Sequence, residues 1–343
     1  MQTRKKQSAR KAADGPGSTD QRIDRLLTLL LEHPMIFLSG AKIAKEIGVG
    51  RSSVWQWVER LRALGVKVKS HPGAGYMLER TPDVLTPSML RARLRATPFG
   101  KRIHHFFRIG STNEHAMELA AAGEPHGTLV VAEEQTAGRG RLDRRWHSPK
   151  STGLYVSFIL RPRLSPAEAP LLTLAAGLAV HDAVREVTEF AADLRWPNDL
   201  LLEGKKFCGI LTEMQAEARN IRHVVVGLGL NVNQTKFPPG LEKIATSLAL
   251  IGGQTYYRLD LLARLLTAFD AYYNQLLREG PRPLVEAFKK TSSYARGKRV
   301  RVTGAREEYV GTTAGLDYAG YLLVRREDTG KTVPVLAGDV REA

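Results

Sequence analysis

The stretch AGRGRLDRRWHSP (137–149) sets four arginines, Arg139, Arg141, Arg144 and Arg145, around Gly138 and Gly140, with Asp143 as the single acid. Glycines between arginines let a backbone bend closely around a ligand. Guanidinium forks match phosphate and carboxylate. A loop wrapped around an anion is favoured, although a nucleic-acid arm or a solvated charge run has the same composition. Other short stretches hold groups able to work beside such a loop. GSTN (110–113) offers Ser111, Thr112 and Asn113, where Ser111 and Glu114 also fit a capping box. RWPNDL (195–200) holds Asp199 in a tight turn, KKFCGIL (205–211) holds Lys206, and GLGLNVN (227–233) holds Gly227, Gly229 and Asn231.

These residues need a scaffold. HHFFRIG (104–110) predicts a strand leading into a helix over 111–123. GTLVVAEEQ (127–135) predicts a strand that ends at Gln135, directly before the arginine loop. GLYVSFILRP (153–162) is a further strand, followed by a helix from about 166 to 189. Shorter strands follow around 192–196, 200–204, 204–214 and 223–233. Runs such as LVVA and VVVG suit strands buried against helices, giving an α+β body. Next, 234–256 reads as a mobile segment with Phe237 and a helix, and 258–280 as a long amphipathic helix. From Gly297, short alternating strands with Gly and Asp turns suit a small SH3-like barrel.

Net charge is +16, and residues 1–110 hold 21 Lys and Arg against 8 Asp and Glu. A basic end on a moderately charged body points to a polyanion partner. Residues 1–20 read as a disordered basic tail. Helical spacing over 21–33, 39–49 and 51–65 is followed by alternation over 66–78 around a Pro-Gly-Ala-Gly turn. Three helices and a basic hairpin resemble a winged helix-turn-helix, with Arg51, Ser52, Ser53 and Gln56 facing DNA. A small helical protein-binding domain is the alternative. Residues 81–102 form a linker to a body at 103–290, with 291–343 as the last domain. Cys208 is the only cysteine, so no intrachain disulfide forms, and no apolar run reaches membrane-spanning length. The chain reads as soluble and cytoplasmic, with no membrane partner and no residues assigned to a metal.

In order and spacing, GSTN, EQTAGRGR with Trp146 beyond, RWPNDL, KKFCGIL and GLGLNVN resemble the biotin protein ligase family. With the winged helix in front, the chain is similar to its bifunctional members, which also repress the biotin operon. The resemblance implies a class II synthetase-like mixed sheet and two reactions. Biotin and ATP, carried with Mg²⁺, give biotinyl-5′-adenylate; a lysine of a biotin carboxyl carrier protein, as in acetyl-CoA carboxylase, then accepts biotin. It implies Lys206 and Arg141 as catalytic groups. Ser111, Thr112, Asn113 and Gln135 would hold biotin; Arg139, Gly140 and Arg141 biotin and the adenylate; Gly227, Gly229 and Asn231 would close the nucleotide side. Asp199 would orient the lysine, the nucleotide or the Mg²⁺. An operator-bound homodimer promoted by the adenylate is implied as well.

Three positions depart from the family pattern. Leu142-Asp143 stands where a further residue and a glycine are usual, so Asp143 is expected to stiffen the loop or pair with Arg144 or Arg145. Arg195 replaces a lysine, and Cys208 replaces a small residue, which reads as packing. Trp146 is expected as a pocket wall or as plain core. Alternatives are a ligase whose winged helix does not regulate, a ligand-sensing transcription factor without ligase activity, and the related lipoate ligase chemistry.

Overall fold

The computed structural model describes residues 16–94, 97–217, 220–304 and 307–343. The N-terminal part packs α1 (Pro16–Glu32), α2 (Gly40–Ile47) and α3 (Arg51–Ala63) against a hairpin of β1 (Val68–His71) and β2 (Gly75–Leu78). Helix α1 starts five residues before the sequence places it. Proline's fixed φ suits a first helical turn, so the helix extends through a segment read as tail. Residues 1–15 of that tail lie outside the described residues. Ser39 caps α2 by accepting from Lys42 N, and Gly48 closes it in the left-handed region. Val54, Val58 and Leu61 of α3 are buried as the spacing predicts, and Trp57 joins them. Arg51, Ser52, Trp55 and Gln56 face outward, and Ser53 is half-buried.

A short helix, α4 (Pro87–Arg93), leads into a seven-stranded mixed sheet. Its strands are β3 (Ile103–Phe106), β4 (Leu129–Ala132), β5 (Gly153–Leu160), β6 (Asp193–Arg195), β7 (Asp199–Leu202), β8 (Lys205–Glu217) and β9 (Asn220–Asn231), in the order β3-β4-β5-β9-β8-β7-β6. Only β3 and β4 run parallel; every other neighbour is antiparallel. Helix α5 (Thr112–Ala121) covers one face, setting Ala116 and Ala120 on Val130, Ile159 and Val225. On the other face lie α6 (Ala169–Thr188), apolar on nearly every side, and α8 (Arg258–Glu279), with the short α7 (Leu248–Gly252) between them in sequence.

After α9 (Pro281–Thr291), β10 (Arg296–Thr303), β11 (Glu308–Leu316), β12 (Leu322–Arg326), β13 (Thr332–Val335) and β14 (Asp339–Glu342) form an antiparallel sheet ordered β13-β12-β11-β10-β14. The last two strands are separated by a turn at Leu336–Gly338. Among the described residues no helix is long and apolar enough to cross a membrane.

Candidate active site

One cavity of about 250 Å³ opens on the α5 face of the large sheet. Ser111, Thr112, Asn113, Gln135, Arg139, Gly140, Arg141, Asp199, Lys206, Gly227 and Asn231 all line it. These positions come from five separated segments, and the sheet register brings them together. Gly227 pairs with Ser157 on one side and Leu211 on the other; two residues along, on the same face, Gly229 pairs with Tyr155 and Gly209. The two rows form the cavity floor.

The first row receives the start of α5. Ser111 Oγ accepts from Glu114 N at 3.4 Å, half of the expected capping box; the Glu114 carboxylate pairs instead with Arg139 at 3.3 Å. Thr112 donates through its N–H (2.8 Å) and its hydroxyl (3.0 Å) to Gln135 Oε1, and Gln135 Nε2 donates to Ser148 Oγ. Asn113 is buried: its Nδ2 donates to Leu211 O (3.2 Å) and Glu213 Oε2 (2.7 Å), and its Oδ1 lies 2.8 Å from the Ser157 hydroxyl. A Cβ at position 227 would stand 2.7 Å from Asn113 Cγ. The glycine is therefore required by close approach, not by φ. Position 229 is the same case: a Cβ there would meet the Trp146 indole, 2.5 Å from Cε2.

At the second row lies the cationic end. Lys206 Nζ sits 2.5 Å from Asp199 Oδ1, and Arg195 donates to Asp199 Oδ2 at 2.6 Å. The Lys206 ammonium also stands 5.3 Å from the Trp146 ring centroid, so Trp146 is a wall of the cavity. The arginine loop folds back on itself: Gly140 N donates to Arg144 O at 2.7 Å and Trp146 N to Gly138 O at 2.8 Å. Leu142 and Asp143 at its tip both have φ of 55°. That is the left-handed conformation a glycine adopts most readily, so the departure from the family pattern leaves a glycine-like turn built from two side-chain-bearing residues. Asp143 is not the partner of Arg144; Arg144 pairs with Asp339 of the C-terminal sheet.

Arg139 pairs with Glu213 as well as Glu114, each at 3.3 Å. Arg141 donates to Asn198 Oδ1 (3.2 Å) and Gly338 O (3.3 Å), and burial pulls its pKa down from the ordinary arginine value. Asn231 is buried deeper. Its amide donates to Thr246 O and accepts from Gln234, so it holds the 234–246 segment in place. That segment is pinned rather than loose: Lys206 N donates to Ile244 O and Thr246 N to Lys206 O. Phe237 lines the cavity from it.

Residues 106–231 match the biotin/lipoate A/B protein ligase family, 22–77 a helix-turn-helix domain, and 296–341 the biotin protein ligase C-terminal domain. The chain is 37% identical over 299 residues to the bifunctional ligase/repressor BirA of Bacillus subtilis (strain 168), covering 87% of this chain and 92% of that protein. The chain belongs to the biotin protein ligase family. It is also 37% identical over 239 residues to the biotin--[acetyl-CoA-carboxylase] ligase of Mycobacterium tuberculosis, covering 68% of this chain and 86% of the relative. The Aquifex aeolicus biotin protein ligase, solved in complex with biotin and ATP, has a TM-score of 0.62 and 30% identity, covering 71% of this chain and 100% of that one.

In this biotin protein ligase, sequence reasoning missed several supports. Ser157 is the only hydroxyl between Leu154 and Leu160 apart from Tyr155, a polar break in a buried strand that was a usable signal. Glu213 ties Asn113 to Arg139 with no local pattern to mark it. Asn198 was not missed, since the Pro197-Asn198-Asp199 turn was expected to line the site; it joins the arginine loop to β8, accepting from Arg141 and donating to Ile210 O. Asp339 and Arg341 line the cavity from the C-terminal sheet, and Gly338 O, just before its last strand, accepts from Arg141.

Proposed function

We propose that this ligase forms biotinyl-5′-adenylate from biotin and ATP and passes biotin to one lysine of a biotin carboxyl carrier protein of the acetyl-CoA carboxylase type. The supporting observation is that all twelve small-molecule site residues expected from the sequence, Gly229 included, line a single cavity. Domains at 21–80, 103–290 and 291–343, joined by 81–102, fit this reading. Ser111, Thr112 and Gln135 hold the ureido end of biotin, and Asn113 braces them. The carboxylate end then points along the floor to Lys206. A biotin carboxylate oxygen attacks the α-phosphorus, pyrophosphate leaves, and the mixed anhydride forms. Lys206 touches both anions as they meet, offsetting their repulsion, and Asp199 holds its ammonium in place. Arg139 and Arg141, already fixed by protein partners, present preorganised charge to the phosphate. In the second step the acceptor amine attacks the acyl carbon and AMP departs.

No three His, Cys, Asp or Glu converge as a metal cage among the described residues. Both Asp199 oxygens face cations. Mg²⁺ carried by ATP would neutralise the phosphates there. The winged helix presents Arg51, Ser52 and Gln56 outward on α3, fitting operator binding by a homodimer that the adenylate promotes. Incubation with biotin, Mg-ATP and unbiotinylated carrier domain should add one biotin to one lysine. Lys206→Ala should lose most of that transfer, and absence of transfer by the wild type would sink the reading. A gel shift of the promoter of biotin-synthesis genes, tightened by biotin with ATP, tests the repressor half; equal affinity without biotin refutes it.

A further inference from the structure

The largest fully buried side chain among the described residues is Arg258, at the first turn of α8 and outside the cavity lining. A guanidinium with no exposure must have its N–H groups satisfied or cost several kcal/mol. Its acceptors come from three segments. Nε donates to Asp83 Oδ2 (3.0 Å) and Nη2 to Asp83 O (2.5 Å), both in the linker. Nη1 donates to Glu133 Oε2 (2.9 Å) and Gly153 O (3.1 Å). Glu133 lies just past the end of β4 and is fully buried; its other oxygen accepts from Leu85 N at 2.7 Å. Gly153 begins β5.

Those two strand ends are the supports of the helix start proposed to hold biotin. Gln135, two residues beyond Glu133, accepts both bonds from Thr112. Ser157, on the same face of β5 as Gly153, stands 2.9 Å from Thr112 Oγ1 and 2.8 Å from Asn113 Oδ1. One cation therefore clamps the two strands that fix Thr112 and Asn113, and the linker carboxylate closes the clamp. We propose that Arg258 is a positioning residue for biotin and that Asp83, in the linker to the winged helix, completes it. The inference rests on the ligase reading above.

The test is Asp83→Asn in the full chain, a change outside the cavity that keeps shape and removes charge. Biotin KM should rise about tenfold while ATP KM and kcat stay within twofold. Amide exchange over 111–113 should quicken, with biotin restoring its protection, and exchange in α6 should not change. A lost fold or general weakening would instead depress kcat and leave both KM values alone. Unchanged biotin KM, or equal changes in both KM values, overturns the inference. Should Asp83→Asn fail to fold, Asp83→Glu, which keeps the charge on a longer arm, is judged by the same criteria. Wild-type protein that turns over no biotin would sink the ligase reading itself, a result separate from these.

Discussion

Gly227 was expected on the nucleotide side but lies against Asn113, at the helix start proposed to hold biotin, so Gly227→Ala is the sharpest test of how the cavity floor works. The added methyl would sit 2.7 Å from Asn113 Cγ and closer still to Oδ1. Carbon atoms in contact sit about 3.5–4.0 Å apart, so the overlap is roughly 1 Å. Asn113 cannot yield cheaply. Turning its side chain breaks the bonds to Leu211 O and Glu213 and the contact with Ser157. A neutral bond of this kind contributes about 1 kcal/mol net and one to a charged group about 1.5–3. Backbone movement instead of rotation costs about 1–3 kcal/mol, as overpacking usually does. Rotation therefore costs roughly 3.5–5 kcal/mol and movement about 1–3; the cheaper route sets the cost, up to about 3 kcal/mol, or up to roughly 10²-fold in affinity where the distortion falls on the biotin site. Steady-state biotin transfer should show biotin KM up by as much as about two orders of magnitude, ATP KM within a few-fold, and a native circular dichroism spectrum. Gly229→Ala is the companion: its methyl meets Trp146 beside Lys206, so kcat should fall more than biotin KM rises. Folded Gly227→Ala protein with wild-type biotin KM would refute the placement of biotin over this row.

Other outcomes follow from single contacts. Asp199→Asn leaves Lys206 and Arg195 without their shared carboxylate; single-turnover adenylate formation should slow about 10–10²-fold, roughly 1.4–2.7 kcal/mol of barrier. Asp339→Asn breaks the tie between the arginine loop and the C-terminal sheet. An exposed pair contributes about 0–1 kcal/mol to stability, so the melting temperature should hold while trapped adenylate escapes several-fold faster in a filter-binding chase. Burial alone would raise the Glu133 carboxyl, but Arg258, with His105 and the Leu85 N–H, holds it down at about 2. Its stabilising effect is therefore present above the ordinary value of 4.5 and is lost as pH falls towards 2. Urea titrations over that window should show a steeper loss for wild type than for Glu133→Gln. Burial pushes the Cys208 thiol up; iodoacetamide should spare it in native protein at pH 8 and label it in urea.

Much of the site was legible because its chemistry is local in sequence even though its assembly is not. Ser111 to Asn113, the arginine loop, Asp199 and Lys206 each sit in a short motif whose residue types state a task. Periodicity also found the faces of α3 and α8. What stayed hidden depends on separation. Glu213 meets Asn113 across 100 residues, and Gly338 meets Arg141 across 197. No pattern of spacing encodes a register between distant strands. Arg258 was hidden differently. It reads as one more polar residue of an amphipathic helix, yet it sits in a first turn, where the helix dipole favours acids over cations. That mismatch was the available signal, and the carboxylates of Asp83 and Glu133 explain it.

The arginine loop is held by two distant parts of the chain. Arg141 spans Asn198, in the turn before β7, and Gly338, in the turn before β14. Its charge is thus fixed in direction before a phosphate arrives, and it reaches across two sheets to do so. Preorganised charge is worth most where little must move during reaction. Leu142 and Asp143 hold left-handed backbone at the loop tip without glycine's freedom, which narrows the conformations open to the loop. A stiffer loop serves retention of a reactive mixed anhydride, since the intermediate must meet a lysine before it meets water. Replacing Asp143 by glycine would restore freedom at the tip, with Asp143→Ala, which loses the same carboxylate without that freedom, as its control. Faster loss of adenylate to hydrolysis, with an unchanged rate of adenylate formation, is the result this argument requires.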